Sequence, residues 1–147
     1  VAVGRMLKQI PLQRIAYNAI PSVVYTNPEI ACIGLTEKDL NEIHEGDFAP
    51  SMSTDEPFVP YEVHKLPMTF SGRFVAENEG EMGLCKVIVD KRNKTLIGVH
   101  MIGNPCSEFV AAASFAVRMG YTVAEFKQVV FPHPTVGEVL REVIMEA

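Results

Sequence analysis

The residues most capable of chemistry lie together near the C-terminus, in Phe131-Pro132-His133-Pro134-Thr135-Val136-Gly137-Glu138. An imidazole and a carboxylate five positions apart can form an acid/base pair if the chain turns between them, the carboxylate orienting the ring and fixing its tautomer. Two prolines fix φ and bias their predecessors away from helix, so His133 is expected on a stiff, extended connector. Thr135 can cap a following helix whose apolar face is Val136, Val139, Leu140, Val143 and Ile144, which puts Glu138 in the first turn. Thr135-x-x-Glu138 is equally the pattern of a capping box, by which any helix satisfies its first amides. Spacing alone leaves the catalytic and the structural readings of His133 both open.

Elsewhere the reactive residue types are scattered. Cys32, Cys85 and Cys106 are an odd number at wide spacing, which supports neither a disulfide framework nor a metal site. Cys32 and Cys85 fall in strand-like runs, as small buried hydrophobes do, and a reducing, cytoplasmic setting is expected. His64 and His100 read as exposed strand residues and His44 as an exposed helix end.

The totals exclude several classes of function. The 147 residues suffice for one domain, and 48% hydrophobic with 21% charged residues is the composition of a folding chain. Thirteen basic against 18 acidic residues leave a net charge of −5, so no nucleic-acid partner is expected. No stretch is long and apolar enough to span a membrane. No glycine fingerprint follows a strand and no glycine-rich loop ends in Lys-Ser or Lys-Thr, so this chain is not expected to bind a dinucleotide by itself.

The elements that position the C-terminal stretch follow from periodicity and punctuation. Strands are expected at 22–26 and 30–35 around an Asn27-Pro28 turn, with a Thr36-capped helix after them. An irregular loop covers 45–60, a strand Tyr61 to Leu66, and a turn with a short helical piece 70–80, where Arg73 is a candidate anchor. The runs 82–89 and 96–102 flank Asp90 to Thr95 as a hairpin. A helix from Glu108 to Arg118, capped by Ser107 or Asn104 and ended by Gly120, precedes a shorter one at 123–129 and the terminal helix. The order implies an α+β domain, a mostly antiparallel sheet with helices packed on one face.

Three stretches carry a resemblance to a known family. Ile20-Pro21-Ser22-Val23-Val24-Tyr25-Thr26-Asn27-Pro28-Glu29-Ile30 with Ile33-Gly34-Leu35-Thr36-Glu37, the hairpin from Asp90 to Gly103, and His133-Pro134-Thr135 with Glu138 together resemble the dihydrolipoamide dehydrogenases. These belong to the flavin-dependent pyridine nucleotide-disulfide oxidoreductases. Asn27-Pro28-Glu29 looks like the lipoamide branch, where glutathione reductases tend to show His-Pro-Pro. The departures are Phe131-Pro132, where many relatives have His-Ala, and Gly137, where many have serine or alanine.

The resemblance implies that residues 20–147 are the C-terminal dimerisation (interface) domain. Residues 1–19 would be the tail of a preceding domain or linker. FAD, NAD and a redox-active cysteine pair would belong to the full-length enzyme, and none is expected bound by this piece alone. His133 would be the acid/base and Glu138 its orienter, acting on the partner subunit's site in a homodimer, with His133 and Pro134 beside the partner's flavin through a cis His133-Pro134 bond. Lipoyl domains of 2-oxo acid dehydrogenase or glycine cleavage complexes would be the partners. The alternatives are a non-catalytic homodimerising module and the same domain of another disulfide reductase, such as glutathione reductase.

Overall fold

Asn27-Pro28 interrupts the first apolar run, and the chain folds back on itself as β1 (Ser22–Val24) and β2 (Ile30–Gly34). The computed structural model describes residues 16–45 and 59–147. The expectations for residues 1–15, for most of the 45–60 loop and for the His44 side chain lie outside the described residues. β3 (Tyr61–Pro67), β4 (Leu84–Asp90) and β5 (Leu96–Ile102) complete a five-stranded sheet in the order β1-β2-β5-β4-β3, antiparallel at every pairing. The helices are α1 (Glu37–Glu45), α2 (Gly72–Glu77), α3 (Cys106–Met119), α4 (Val123–Phe126) and α5 (Glu138–Met145). The fold is thus the expected α+β class, with α4 shorter than its apolar pattern implied.

The main core lies between one sheet face and the helices. Ala31, Ile33, Cys85, Val87, Val89, Val99 and Met101 face Phe74 of α2, Val110, Ala113 and Ala116 of α3, and Val139, Leu140, Val143 and Ile144 of α5. A bulge opposite Ile88/Val89 skips Ile97, so Leu96 and Val99, three positions apart, both reach this core. On the other face Leu40 of α1 packs with Ile88, Ile97 and Val59. The two faces explain His64. Tyr61 and Val63 serve the smaller cluster while Leu66 serves the main one, so His64 is half-buried on the helical side instead of exposed. His100 is likewise partly buried: its Nε2 lies 2.9 Å from the Leu35 carbonyl, and burial pushes its pKa down.

Local chemistry sets the ends of the elements. Thr36 caps α1 as expected, its Oγ1 accepting the Asp39 N–H at 3.0 Å. Gly120 ends α3 in the left-handed region, at φ +65°. Gly34 and Gly98 are register partners where β2 crosses close to β5. A Cβ at Gly34 would lie 2.2 Å from the Ile97 carbonyl oxygen, and one at Gly98 2.1 Å from that of Leu35. α3 departs from expectation, because neither Ser107 nor Asn104 caps it. The Ser107 amide donates instead to the Glu29 carboxylate at 2.9 Å, and the Asn104 side chain accepts from the Glu29 amide. Glu29 therefore acts as a remote cap from the β1–β2 turn, an anion on the positive end of a 14-residue helix.

The β4–β5 hairpin is locked by Asp90, which is buried and accepts from the Arg92 backbone N–H at 2.8 Å and from its guanidinium at 2.8–3.2 Å. Burial pushes the Asp90 carboxyl up, but the Arg92 hydrogen bonds and charge outweigh it and hold it below the usual range. A carboxyl depressed in this way adds stability that is present above about pH 4, the ordinary unfolded value, and is lost as pH falls through the folded value. Asp90→Asn is expected to flatten that part of the acid dependence of urea unfolding between neutral and low pH. An unchanged slope would place the acid sensitivity elsewhere.

Candidate active-site loop

The loop between α4 and α5 is held at several points before it carries any chemistry. Phe131 packs its ring 5.8 Å from that of Phe126, and Val136 is buried in the core. The Thr135 Oγ1 donates to the Pro132 carbonyl at 2.8 Å, and the His133-Pro134 peptide is cis. Thr135 is therefore not the side-chain cap that the capping-box pattern predicts. Its hydroxyl is turned back into the loop, and Gly137 takes the N-cap position with no side-chain bond. Only the other half of the box forms: the Glu138 Oε2 accepts the Thr135 N–H at 2.8 Å.

That half-box aims the second carboxylate oxygen at the histidine. Glu138 Oε1 lies 2.8 Å from His133 Nδ1, with the histidine side chain 81% exposed and the glutamate 21%. An ionised carboxylate only accepts, so Nδ1 carries the proton and Nε2 is the basic nitrogen presented to solvent. The Thr135 N–H is the strongest influence on the Glu138 carboxyl. With the His133 hydrogen bond and charge it holds that carboxyl below its ordinary range.

On its inner side the loop borders a cleft of about 450 Å³ lined by Arg73, Glu77, Pro105, Phe109, Pro134 and Val136, among others. Arg73 is half-exposed and ion-paired with Glu77 one turn along α2, not anchored to the core. Ser71, unremarked in the sequence, is buried at the N-terminus of α2 and donates to the Thr135 carbonyl at 2.9 Å. The only local signal there was a serine preceding a helical turn.

The three thiols take no part in this loop. Cys85 and Cys106 are buried and pushed up to about 12 and about 11 respectively, chiefly by desolvation, which makes them poor nucleophiles. Among the described residues no group of three or more His, Cys, Asp and Glu side chains could hold a metal ion. Nor is any described helix long and apolar enough to cross a membrane. The N-terminal end of α3 is occupied by the Glu29 carboxylate, which accepts the Ser107 N–H at 2.9 Å.

Comparison with known proteins identifies the domain. Residues 20–144 match the pyridine nucleotide-disulphide oxidoreductase dimerisation domain. The chain is 36% identical over 133 residues to the mitochondrial dihydrolipoyl dehydrogenase of Caenorhabditis elegans, an alignment covering 90% of this chain and 24% of that protein. It is 36% identical over 123 residues to the dihydrolipoyl dehydrogenase of Thermus scotoductus, covering 84% and 23% respectively. The chain thus spans about a quarter of the length of these relatives. In fold it is similar to LpdA from Mycobacterium tuberculosis, with a TM-score of 0.79 at 21% identity, covering 99% of this chain and 28% of that one. It is also similar to the HOCl-induced flavoprotein disulfide reductase RclA from Escherichia coli, with a TM-score of 0.69 at 19% identity, covering 86% and 26%. On the sequence match and the relatives together, the chain belongs to the pyridine nucleotide-disulphide oxidoreductase family, as the dimerisation domain of a dihydrolipoyl dehydrogenase-like enzyme.

Proposed function

We propose that this domain supplies the acid/base of a dihydrolipoamide dehydrogenase, with His133 moving the proton and Glu138 orienting it. The observation that carries the reading is an exposed imidazole whose Nδ1 is fixed by a carboxylate, on a loop pinned at both ends. A thiolate, not a thiol, attacks a disulfide, so the neutral Nε2 would take the proton of a dihydrolipoamide thiol. The imidazolium so formed would stabilise the thiolate of a cysteine pair contributed by the partner subunit. FAD and NAD in the full-length homodimer would supply the electron path. This chain's share of the flavin site is His133 with Pro134. Alone, the domain would turn nothing over. Self-association is favoured by exposed apolar side chains on α3, Phe115 at 70% and Met119 at 63%, with Ala19 and Pro21 lining the same shallow depression as Phe115. Lipoyl domains of 2-oxo acid dehydrogenase or glycine cleavage complexes are the proposed macromolecular partners.

The substrate is tested by anaerobic reduction of the flavin in the full-length enzyme. Dihydrolipoamide is expected to bleach it, and reduced glutathione is not. The reverse result would assign the domain to another disulfide reductase. Glu138→Gln is expected to slow turnover by about 10–10²-fold, by analogy with the loss on removing carboxylates that orient metal-binding histidines. That variant keeps the ring in place and loses charge and orientation. A pH–rate profile identical to that of the parent enzyme would reduce Glu138 to a helix-terminus residue.

A further inference from the structure

We infer that Ser71 is a positioning residue for the His133–Glu138 pair, holding the Thr135 backbone where Glu138 needs it. The inference rests on the acid/base reading above. Ser71 is 2% exposed and its hydroxyl makes two bonds. It accepts the Phe74 N–H at 3.2 Å, which is the ordinary cap of α2 and accounts for a serine at this position. It also donates to the Thr135 carbonyl at 2.9 Å, across 64 positions of sequence, and capping does not require that second bond.

The residue it reaches is the one that fixes the carboxylate. Thr135 accepts from Ser71 through its carbonyl and donates through its N–H to Glu138 Oε2, whose other oxygen meets His133 Nδ1. Two hydrogen-bonded links therefore meet at Thr135. The buried hydroxyl at the cap of α2 holds the Thr135–Val136 peptide, and the Pro134–Thr135 peptide holds the carboxylate that meets the exposed imidazole, the two peptides being joined at the Thr135 Cα. The Thr135 Oγ1 bond to the Pro132 carbonyl lies within the loop itself, and the loop's other named anchors to the body of the domain differ in kind. Val136 and the Phe126–Phe131 contact are apolar, so they fix how deep the loop sits but not the rotation of its peptides. Hydrogen bonds are directional, and the Ser71 bond sets the rotation of the Thr135–Val136 peptide, which restricts the backbone dihedrals of Thr135 and through them the direction of its N–H. Because the Thr135 N–H is held by Glu138 Oε2, a change in the Thr135 backbone dihedrals alters the aim of the carboxylate and weakens the bond that most depresses its pKa.

The test uses the full-length flavin-loaded enzyme with Ser71→Ala, Ser71→Thr and Glu138→Gln, reading kcat, KM and the pH–rate profile of each. Ser71→Ala is expected to lower kcat by about tenfold with KM nearly unchanged, as small misplacements of a catalytic group do. It should move the profile in the same direction as Glu138→Gln, and Ser71→Thr, which keeps the hydroxyl, should restore both. If Ser71→Ala gives no folded enzyme, Ser71→Cys, with similar volume but a weak donor, is read in the same way. A Ser71→Ala enzyme that melts earlier but keeps the parent pH profile, while Glu138→Gln shifts it, overturns the positioning role alone. If Glu138→Gln leaves the profile unmoved, Glu138 does not orient His133, and this inference falls with that part of the acid/base reading.

Discussion

Replacing His133 by glutamine in the full-length enzyme is expected to slow thiol-disulfide turnover by about 10²–10⁴-fold, the usual contribution of a positioned proton-transfer group. The dimer should persist, because the side chain is 81% exposed in the chain and its loss leaves no cavity. The loop should also hold its shape, since the Thr135 N–H to Glu138 bond, the Ser71 bond and the buried Val136 do not involve the imidazole. Glutamine can offer an amide N–H to Glu138 but carries no basic nitrogen, so orientation is separated from proton transfer. Stopped-flow measurement of flavin reduction by dihydrolipoamide reads the affected step directly. Near-normal turnover in this variant would remove His133 from the chemistry.

The second large effect is expected on stability. Phe74 is fully buried in the main core, and its ring lies close enough to Gly103 that a Cβ there would approach within 3.0 Å of it. Its N–H is the donor that Ser71 accepts, and its carbonyl accepts from the Asn78 amide. Phe74→Ala removes a ring from a packed site with little room to collapse and is expected to cost about 3–5 kcal/mol. Urea unfolding of the domain, followed by circular dichroism, measures it. A loss under about 1 kcal/mol would mean that the site relaxes and that α2 is not anchored by this side chain. Because Ser71 heads the same helix, the surviving folded protein should also lose activity beyond its loss of stability.

What could be read from the sequence was what depends on local pattern. The β4–β5 hairpin declares itself through two apolar runs around a polar turn, and the cap at Thr36 through a threonine three positions before an acid. His133 and Glu138 stand out because two prolines leave the chain few ways to run between them. What was hidden depends on residues distant in sequence. Thr135-Val136-Gly137-Glu138 has the letters of a capping box, but the loop turns the threonine hydroxyl back to Pro132 and leaves only the glutamate half. His64 reads as solvent-facing only if the Tyr61/Val63 side of its strand faces the core, whereas that side meets the smaller Leu40–Val59 cluster and the His64 side, shared with Leu66, faces the main one. Glu29 looks like part of a turn signature, yet its carboxylate holds the amide of Ser107, 78 positions away. No local pattern marks Ser71 as a partner of Thr135, because the bond exists only once α2 and the loop have docked.

A hybrid dimer is the most direct test of the central claim that His133 serves the partner subunit's site. One subunit carries His133→Gln with its cysteine pair intact, and the other carries His133 with its cysteine pair replaced by serine. If the histidine acts across the interface, the hybrid contains one complete site and is expected to recover turnover that neither parent homodimer shows. If the hybrid is as inactive as its parents, His133 does not act on the partner's site and the account of this domain as half of a composite active site is wrong.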